Sequence, residues 1–251
     1  MPDQEITPEL YVVGAGPGDP ELITVKAYKI LQKADVVLYD NLANSELLDI
    51  TKPDCEKIYV GKRPYGSYTP QERIHELIKE KALEKGLVVR LKGGDPYIFG
   101  RGFEEVLFAR EHGIPAHYIP GITSMQASGF DDIPLTHRAV SEGIWAITGT
   151  KKDGSLSDDL RLSMHSNATV IIYMGMKKAA EIAATYVQEG KGDMPVAVIQ
   201  HASLPHKKSA VGKVKDLVEL IDTHKLTYPA LIVIGWVIGV REGTQQRPNQ
   251  H

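Results

Sequence analysis

Two spacings of apolar residues alternate along this chain. Short runs rich in β-branched residues read as strands: LYVVGA (Leu10–Ala15), DVVLYD (Asp35–Asp40), KIYV (Lys57–Val60), LVVRLK (Leu87–Lys92) and AHYIP (Ala116–Pro120). Between them lie segments with helical periodicity. The clearest is PQERIHELIKEKALEKG, where Thr69 is placed to cap, Pro70 suits the first turn and Glu72 completes a capping box. Its residues Ile74, Leu77, Ile78 and Leu83 share a face, and Gly86 ends it. FEEVLFAREHG (Phe103–Gly113) follows the same plan. Such alternation predicts a largely parallel sheet with helices on both faces.

Around DDIPLTHRAVSEG (Asp131–Gly143) the pattern gives way to polar and turn-forming residues. A second series of strands follows: IWAIT, ATVIIYM, MPVAVIQ and PALIVIG, with KKAAEIAATYVQEG (Lys177–Gly190) as a helix among them. The predicted fold class is α/β, in two small α/β domains. We place them at residues 1–136 and 137–241, followed by a polar tail, 242–251.

Composition narrows the function. The 251 residues are 42% hydrophobic, so a packed core is expected over most of the length. A net charge of −3 argues against nucleic acid as a partner. The single cysteine, Cys55, excludes an internal disulfide and suggests a reducing, cytoplasmic setting. The N-terminal MPDQEITPEL is too polar for a signal peptide, and the most apolar run, Tyr228–Val240, is too short to span a membrane. The histidines show no metal-binding spacing, so no metal is expected.

The glycine-rich stretch VVGAGPGDPEL (Val12–Leu22) looks at first like a dinucleotide turn. Gly14 and Gly16 fit, and Asp40 could serve as the ribose acid. Asp19, however, stands at the third glycine's place, and Pro17 removes an amide donor. A phosphate would meet fewer donors there and a negative charge.

Several motifs then occur in order: GAGPGDPELIT, DVVLYDNL, VGKR, VVRLKGGDPYIFGRGFEE, PGITS and IPLTHR, with YMG, MPVAVIQ and PALIVIG in the second half. Together they resemble the uroporphyrinogen-III C-methyltransferases of the tetrapyrrole methylase superfamily, over about residues 10–240. RLKGGDPYIFGRG is the most specific of them. The resemblance implies two α/β domains with a cofactor cleft between them, usually in a homodimer. It implies S-adenosyl-L-methionine as methyl donor, S-adenosyl-L-homocysteine as product, and methylation of uroporphyrinogen III at carbons 2 and 7 to give precorrin-2. That reaction is an early step towards sirohaem and cobalamin. A donor without phosphates would explain why the first loop needs no nest of amides.

By resemblance, the cofactor residues are Pro17, Gly93, Gly94, Asp95, Ile98, Thr123 and Ser124, with Met174 and Ala202 from the second domain. Thr123 and Ser124 could instead cap a helix, and Met174 could be core. Asp40 matches the family's proposed proton acceptor and Lys62 its proton donor. Asp40 could also cap a turn, and Lys62 could bind a substrate carboxylate. Because the substrate carries eight carboxylates, Arg63, Arg101 and Arg138, in loops after strands, are candidate substrate-binding residues. Three places depart from the family pattern: PYGSYTPQ with Ser67 where a histidine is usual, TGT at Thr148–Thr150, and QHAS at Gln200–Ser203. They bear on the pocket side chains, Ala202 among them, more than on the reaction. The rival readings are methylation of a later corrinoid precursor and non-catalytic tetrapyrrole binding.

Overall fold

In a computed structural model that describes residues 6–61 and 69–243, the chain divides into two compact units, Met1–Thr123 and Ser124–His251. The first unit holds a five-stranded sheet in the order β3-β2-β4-β1-β5. Its strands are β1 (Glu9–Gly14), β2 (Val36–Tyr39), β3 (Glu56–Tyr59), β4 (Leu87–Lys92) and β5 (Ala116–Ile119). Every pairing is parallel, as the alternation of strands and helices predicts.

Period-two alternation sends side chains to opposite faces. On one face Leu10, Val12, Val36, Leu38 and Val88 pack against Ile74 and Ile78 of α2 (Gln71–Lys85) and Val106 and Ala109 of α3 (Gly102–Glu111). On the other, Val13, Val37, Val89 and Leu91 meet Ala27 and Leu31 of α1 (Val25–Leu31) and Leu47 of the short 3₁₀ helix Ser45–Ile50. Two details of α2 differ from the pattern reading. Thr69 does not cap it, because the helix starts at Gln71 with Pro70 in the cap position and no side-chain cap bond. Leu83 is exposed, since the buried stripe runs through Ile74, Ile78 and Ala82.

The second unit carries a mixed sheet in the order β6-β7-β10-β8-β9. Its strands are β6 (Ile144–Thr148), β7 (Thr169–Tyr173), β8 (Pro195–Gln200), β9 (Lys208–Lys213) and β10 (Ala230–Ile234). Only β6–β7 is parallel. Strand β9 is absent from the pattern reading because only Ala210 of KSAVGK is buried. Helices α4 (Asp159–Met164), α5 (Ala179–Gln188) and α6 (Leu217–Thr223) complete the unit. Its first segment is the 3₁₀ helix Ser124–Asp131. The break therefore falls at residues 123/124, ahead of the expected 136/137. The reason is packing: Ala127 and Ile133 are buried with Ala197, Ile199 and Val233, and Met125 N donates to the Tyr173 hydroxyl at 3.2 Å.

Candidate active-site loops

In the first unit, the polar residues collect where the strands end. Along the face covered by α2 and α3, the apolar stripe of β2 and β4 turns polar: Leu38 is followed by Asp40, and Val88 by Arg90 and Lys92. Three glycine loops leave the same ends of β1, β4 and β5, and their backbones touch. A Cβ on Gly121 would lie 2.3 Å from Gly94 O and 2.8 Å from Gly14 Cα, and one on Gly14 would lie 2.4 Å from Gly121 N. Gly93 is equally confined, since its Cβ would meet Leu42 Cβ at 2.6 Å. Glycine is needed here for close approach of main chain to main chain.

The first loop is unsuited to phosphate for a reason beyond those the sequence offers. Ala15 N donates to Lys92 O (2.7 Å) and Gly16 N to Gly94 O (3.3 Å), while Gly94 N donates back to Gly16 O (2.7 Å). Pro17, half-buried, has no amide hydrogen, and Asp19 Oδ1 accepts from Glu21 N at 2.9 Å to cap the 3₁₀ turn Pro20–Leu22. Of the amides that would form an anion nest, those of Ala15 and Gly16 are thus already bonded within the protein, and Pro17 has none to give.

Asp95 is buried, and both its oxygens are occupied. Oδ1 accepts from Tyr97 N (2.8 Å); Oδ2 accepts from the Tyr118 hydroxyl (2.6 Å) and Gly121 N (3.1 Å). Its carboxylate ties the loop after β4 to the loop after β5. Burial, and then the bond to Asp95, pushes the Tyr118 phenol well above its ordinary value. Tyr97 stacks on Tyr118 at 3.9 Å, and Tyr97, Ile98 and Phe99 leave an exposed apolar edge on the loop.

Asp40 caps a turn, one of the two alternatives the sequence left open, and also pairs with a buried cation. Its Oδ1 accepts from Leu42 N (3.0 Å), a turn cap, while Oδ2 accepts from Arg90 Nη2 (2.8 Å). Arg90 is buried and also donates to Leu91 O (2.8 Å) and to Glu105 Oε1 (3.3 Å). Glu105, fully buried on α3, receives Lys92 Nζ (3.3 Å) and Gln71 Nε2 (3.1 Å) on that same oxygen. Burial, and next the Arg90 charge, lowers the Lys92 ammonium from its ordinary range, with Glu105 opposing. The motif reading passed over Glu105 and this cluster. The signal was present: two cations two residues apart inside an otherwise apolar strand require a buried anion.

Arg101 has a left-handed backbone (φ 58) and lays its fork on Glu104, Nε to Oε1 at 2.9 Å and Nη2 to Oε2 at 2.6 Å. Thr123 is buried at the end of the unit. Lys62, Arg63 and the departure at Ser67 lie outside the described residues.

Within the second unit, Ser124 opens the 3₁₀ helix noted above. Met174 follows β7 with φ 55 and is exposed, so it is not a core side chain. Thr150, where the family usually has histidine, donates its hydroxyl to Met174 O at 3.1 Å. Ala202 follows β8 between His201 (φ 51) and Ser203 (φ 73), and its methyl is buried with Val233, Val237 and Ile238. Arg138 is exposed in the tight turn His137–Ser141, closed by Ser141 N to His137 O at 2.9 Å. Among the described residues no group of three or more His, Cys, Asp or Glu could hold a metal ion, and no helix is long and apolar enough to cross a membrane.

A parallel sheet with glycine loops at its carboxyl ends, joined in sequence to a mixed five-stranded sheet, defines an α/β protein with its candidate ligand residues beyond the strand ends. The family is more specific than that class. Residues 9–218 match the model of the Tetrapyrrole (Corrin/Porphyrin) Methylases, and the chain belongs to that family. It is 41% identical over 231 residues to a siroheme synthase of Chromobacterium violaceum, covering 91% of this chain and 49% of that protein. The siroheme synthase of Neisseria meningitidis is 45% identical over 233 residues, 92% of this chain and 48% of its own length. The chain spans about half the length of these curated relatives. Among solved structures, a uroporphyrin-III C-methyl transferase from Thermus thermophilus complexed with S-adenyl homocysteine is 40% identical, with a TM-score of 0.80 over 92% of this chain and 99% of that one. A cobalt precorrin-4 methyltransferase superposes with a TM-score of 0.81 at 29% identity, covering 92% of this chain and 95% of that one.

Proposed function

We propose that this chain transfers methyl groups from S-adenosyl-L-methionine to carbons 2 and 7 of uroporphyrinogen III, forming precorrin-2. The observation that carries the reading is the likeness to the Thermus thermophilus enzyme, 40% identical across nearly the whole of both chains and solved with S-adenyl homocysteine. The loops fit such a donor. The first has its Ala15 and Gly16 amides already engaged and a proline after them, the second presents the apolar edge at Ile98, and carboxylates rather than cations suit a sulfonium.

When bound, the donor supplies an electrophilic methyl whose leaving group departs as a neutral thioether, so the protein need not protonate it. The chain's own part is to orient the reactants and to manage a proton. Asp40, held by Leu42 N and Arg90, is the group that takes the proton lost from the methylated macrocycle. Lys62 donates a proton or binds a substrate carboxylate. Arg63, Arg101 and Arg138 bind further carboxylates, Arg101 by exchanging Glu104 for the substrate. Gly93, Gly94 and Asp95 serve the cofactor through main chain, because the Asp95 carboxylate is engaged within the protein. Pro17, Ile98, Thr123, Ser124, Met174 and Ala202 complete the cofactor set. The reading carries with it a homodimer and a cytoplasmic location, which light scattering and fractionation of the source cells check.

The test is incubation of the purified chain with S-adenosyl-L-methionine and uroporphyrinogen III, followed by mass analysis. Two added methyl groups support the proposal. Methylation of a later corrinoid alone favours the precorrin-4 likeness, and binding without methylation favours a non-catalytic role.

A further inference from the structure

Glu105 supplies the buried anion that Arg90 and Lys92 require, but its geometry goes beyond charge balance. It is fully buried, yet its Oε2 has no hydrogen-bond partner among the described residues, while three donors crowd onto Oε1. A half-satisfied buried carboxylate is costly, and a fully apolar replacement of the whole cluster would fill the same space with less penalty. What the arrangement achieves is directional. Without Glu105 the buried Arg90 would keep its Nη bonds but have no partner for Nε. Glu105 holds its Nε from the α3 side and Leu91 O holds Nη1, which leaves Nη2 aimed at Asp40 Oδ2. Lys92 and Gln71 fix the Glu105 carboxylate in turn. The two carboxylates and two cations balance, so no net charge is buried.

We infer that Glu105 is a positioning residue for methyl transfer, acting through the Arg90 guanidinium to hold the Asp40 carboxylate in its working orientation. The inference rests on the proposed reaction and deepens it. Glu105 touches neither substrate nor donor; it sets the guanidinium that sets the acceptor of the proton.

The test replaces Glu105 by Leu, which fills the volume and removes the acceptor, alone and together with Asp40→Asn. Methyl transfer is followed with labelled donor, and affinity for S-adenosyl-L-homocysteine is followed by calorimetry. Glu105→Leu is expected to lower kcat about ten- to a hundred-fold, the scale of a misplaced catalytic group. KM and S-adenosyl-L-homocysteine affinity should stay within about two-fold of the parent, since orientation is lost and binding is not. In the Asp40→Asn background the same change should lower kcat no further, because both act through one group. Glu105→Gln, which retains an acceptor for Arg90, should recover part of the loss. A kcat unchanged in Glu105→Leu, or a full further loss on top of Asp40→Asn, overturns the inference. So does failure of both the Leu and Gln variants to fold, which would assign the cluster to folding. A parent protein that binds S-adenosyl-L-homocysteine but never methylates uroporphyrinogen III sinks the proposed function instead.

Discussion

Replacing Asp95 by Asn tests whether that carboxylate is a brace between loops. The change is nearly isosteric, yet it turns one of two acceptor oxygens into a donor that faces donors. Asp95 accepts three hydrogen bonds, from Tyr97 N, the Tyr118 hydroxyl and Gly121 N. Each bond to an ionised acceptor is worth about 1.5–3 kcal/mol. Asparagine keeps one acceptor face and loses the other, so the net loss is about 3 kcal/mol. For a unit of this size that lowers the thermal midpoint by about 10 °C. A second readout is independent of stability. The Tyr118 phenol is raised first by burial and then by Asp95, so its titration should move back towards the ordinary value of 10.0 in the variant. The linkage has a definite sign. A group whose folded-state value is raised contributes stability in full below the unfolded value, and that contribution is lost as pH rises through the folded one. Alkaline loss of stability should therefore be shallower in Asp95→Asn than in the parent. Ultraviolet tyrosinate titration and thermal melts at several pH values check both. A midpoint within about 2 °C of the parent, with an unchanged tyrosine titration, would refute the brace.

Other expectations follow from the same contacts. Gly121→Ala places a Cβ against backbone at Gly94 and Gly14 that cannot yield cheaply, and should cost at least about 1–3 kcal/mol by urea denaturation. Asp40→Asn should lower the rate of methyl transfer about a hundred-fold or more while calorimetry shows S-adenosyl-L-homocysteine binding retained. Cys55 is buried, which raises its thiol, so it should resist an aromatic disulfide reagent at neutral pH and react at once in denaturant. Lys213 and then Lys215 hold exposed Asp193 at about 2, so its stabilising effect should persist above its unfolded value and fade as pH falls through about 2, with salt weakening it throughout; carbon-detected titration follows it.

Much of the fold was readable because its cause is local. The central strands of the first sheet carry runs such as VVLY and LVVRLK, whose apolar content follows from burial on two faces. Strand β9 was not readable, since an edge strand with one buried residue has no pattern to show. Thr69 and Leu83 misled for a related reason: a capping box and an apolar stripe are propensities, and the start of α2 at Gln71 and its packing through Ala82 decided otherwise. The glycine motifs pointed to the right loops but not to their use. Their spacing suggests room for a ligand, whereas Gly14, Gly94 and Gly121 meet one another. That depends on which strands are neighbours, and β1 lies between β4 and β5 only in the folded sheet. The balance among Asp40, Arg90, Lys92 and Glu105 was hidden in the same way, spread over two strand ends and a helix.

The meeting of those three glycines also limits how such a protein can be altered. Main chain that abuts main chain has no side chain to trim in compensation, so a graft of any one turn from a distant relative would collide with the other two. Redesign of these loops would have to transplant the trio as a block, or leave it untouched and vary the outward residues Tyr97, Ile98 and Phe99.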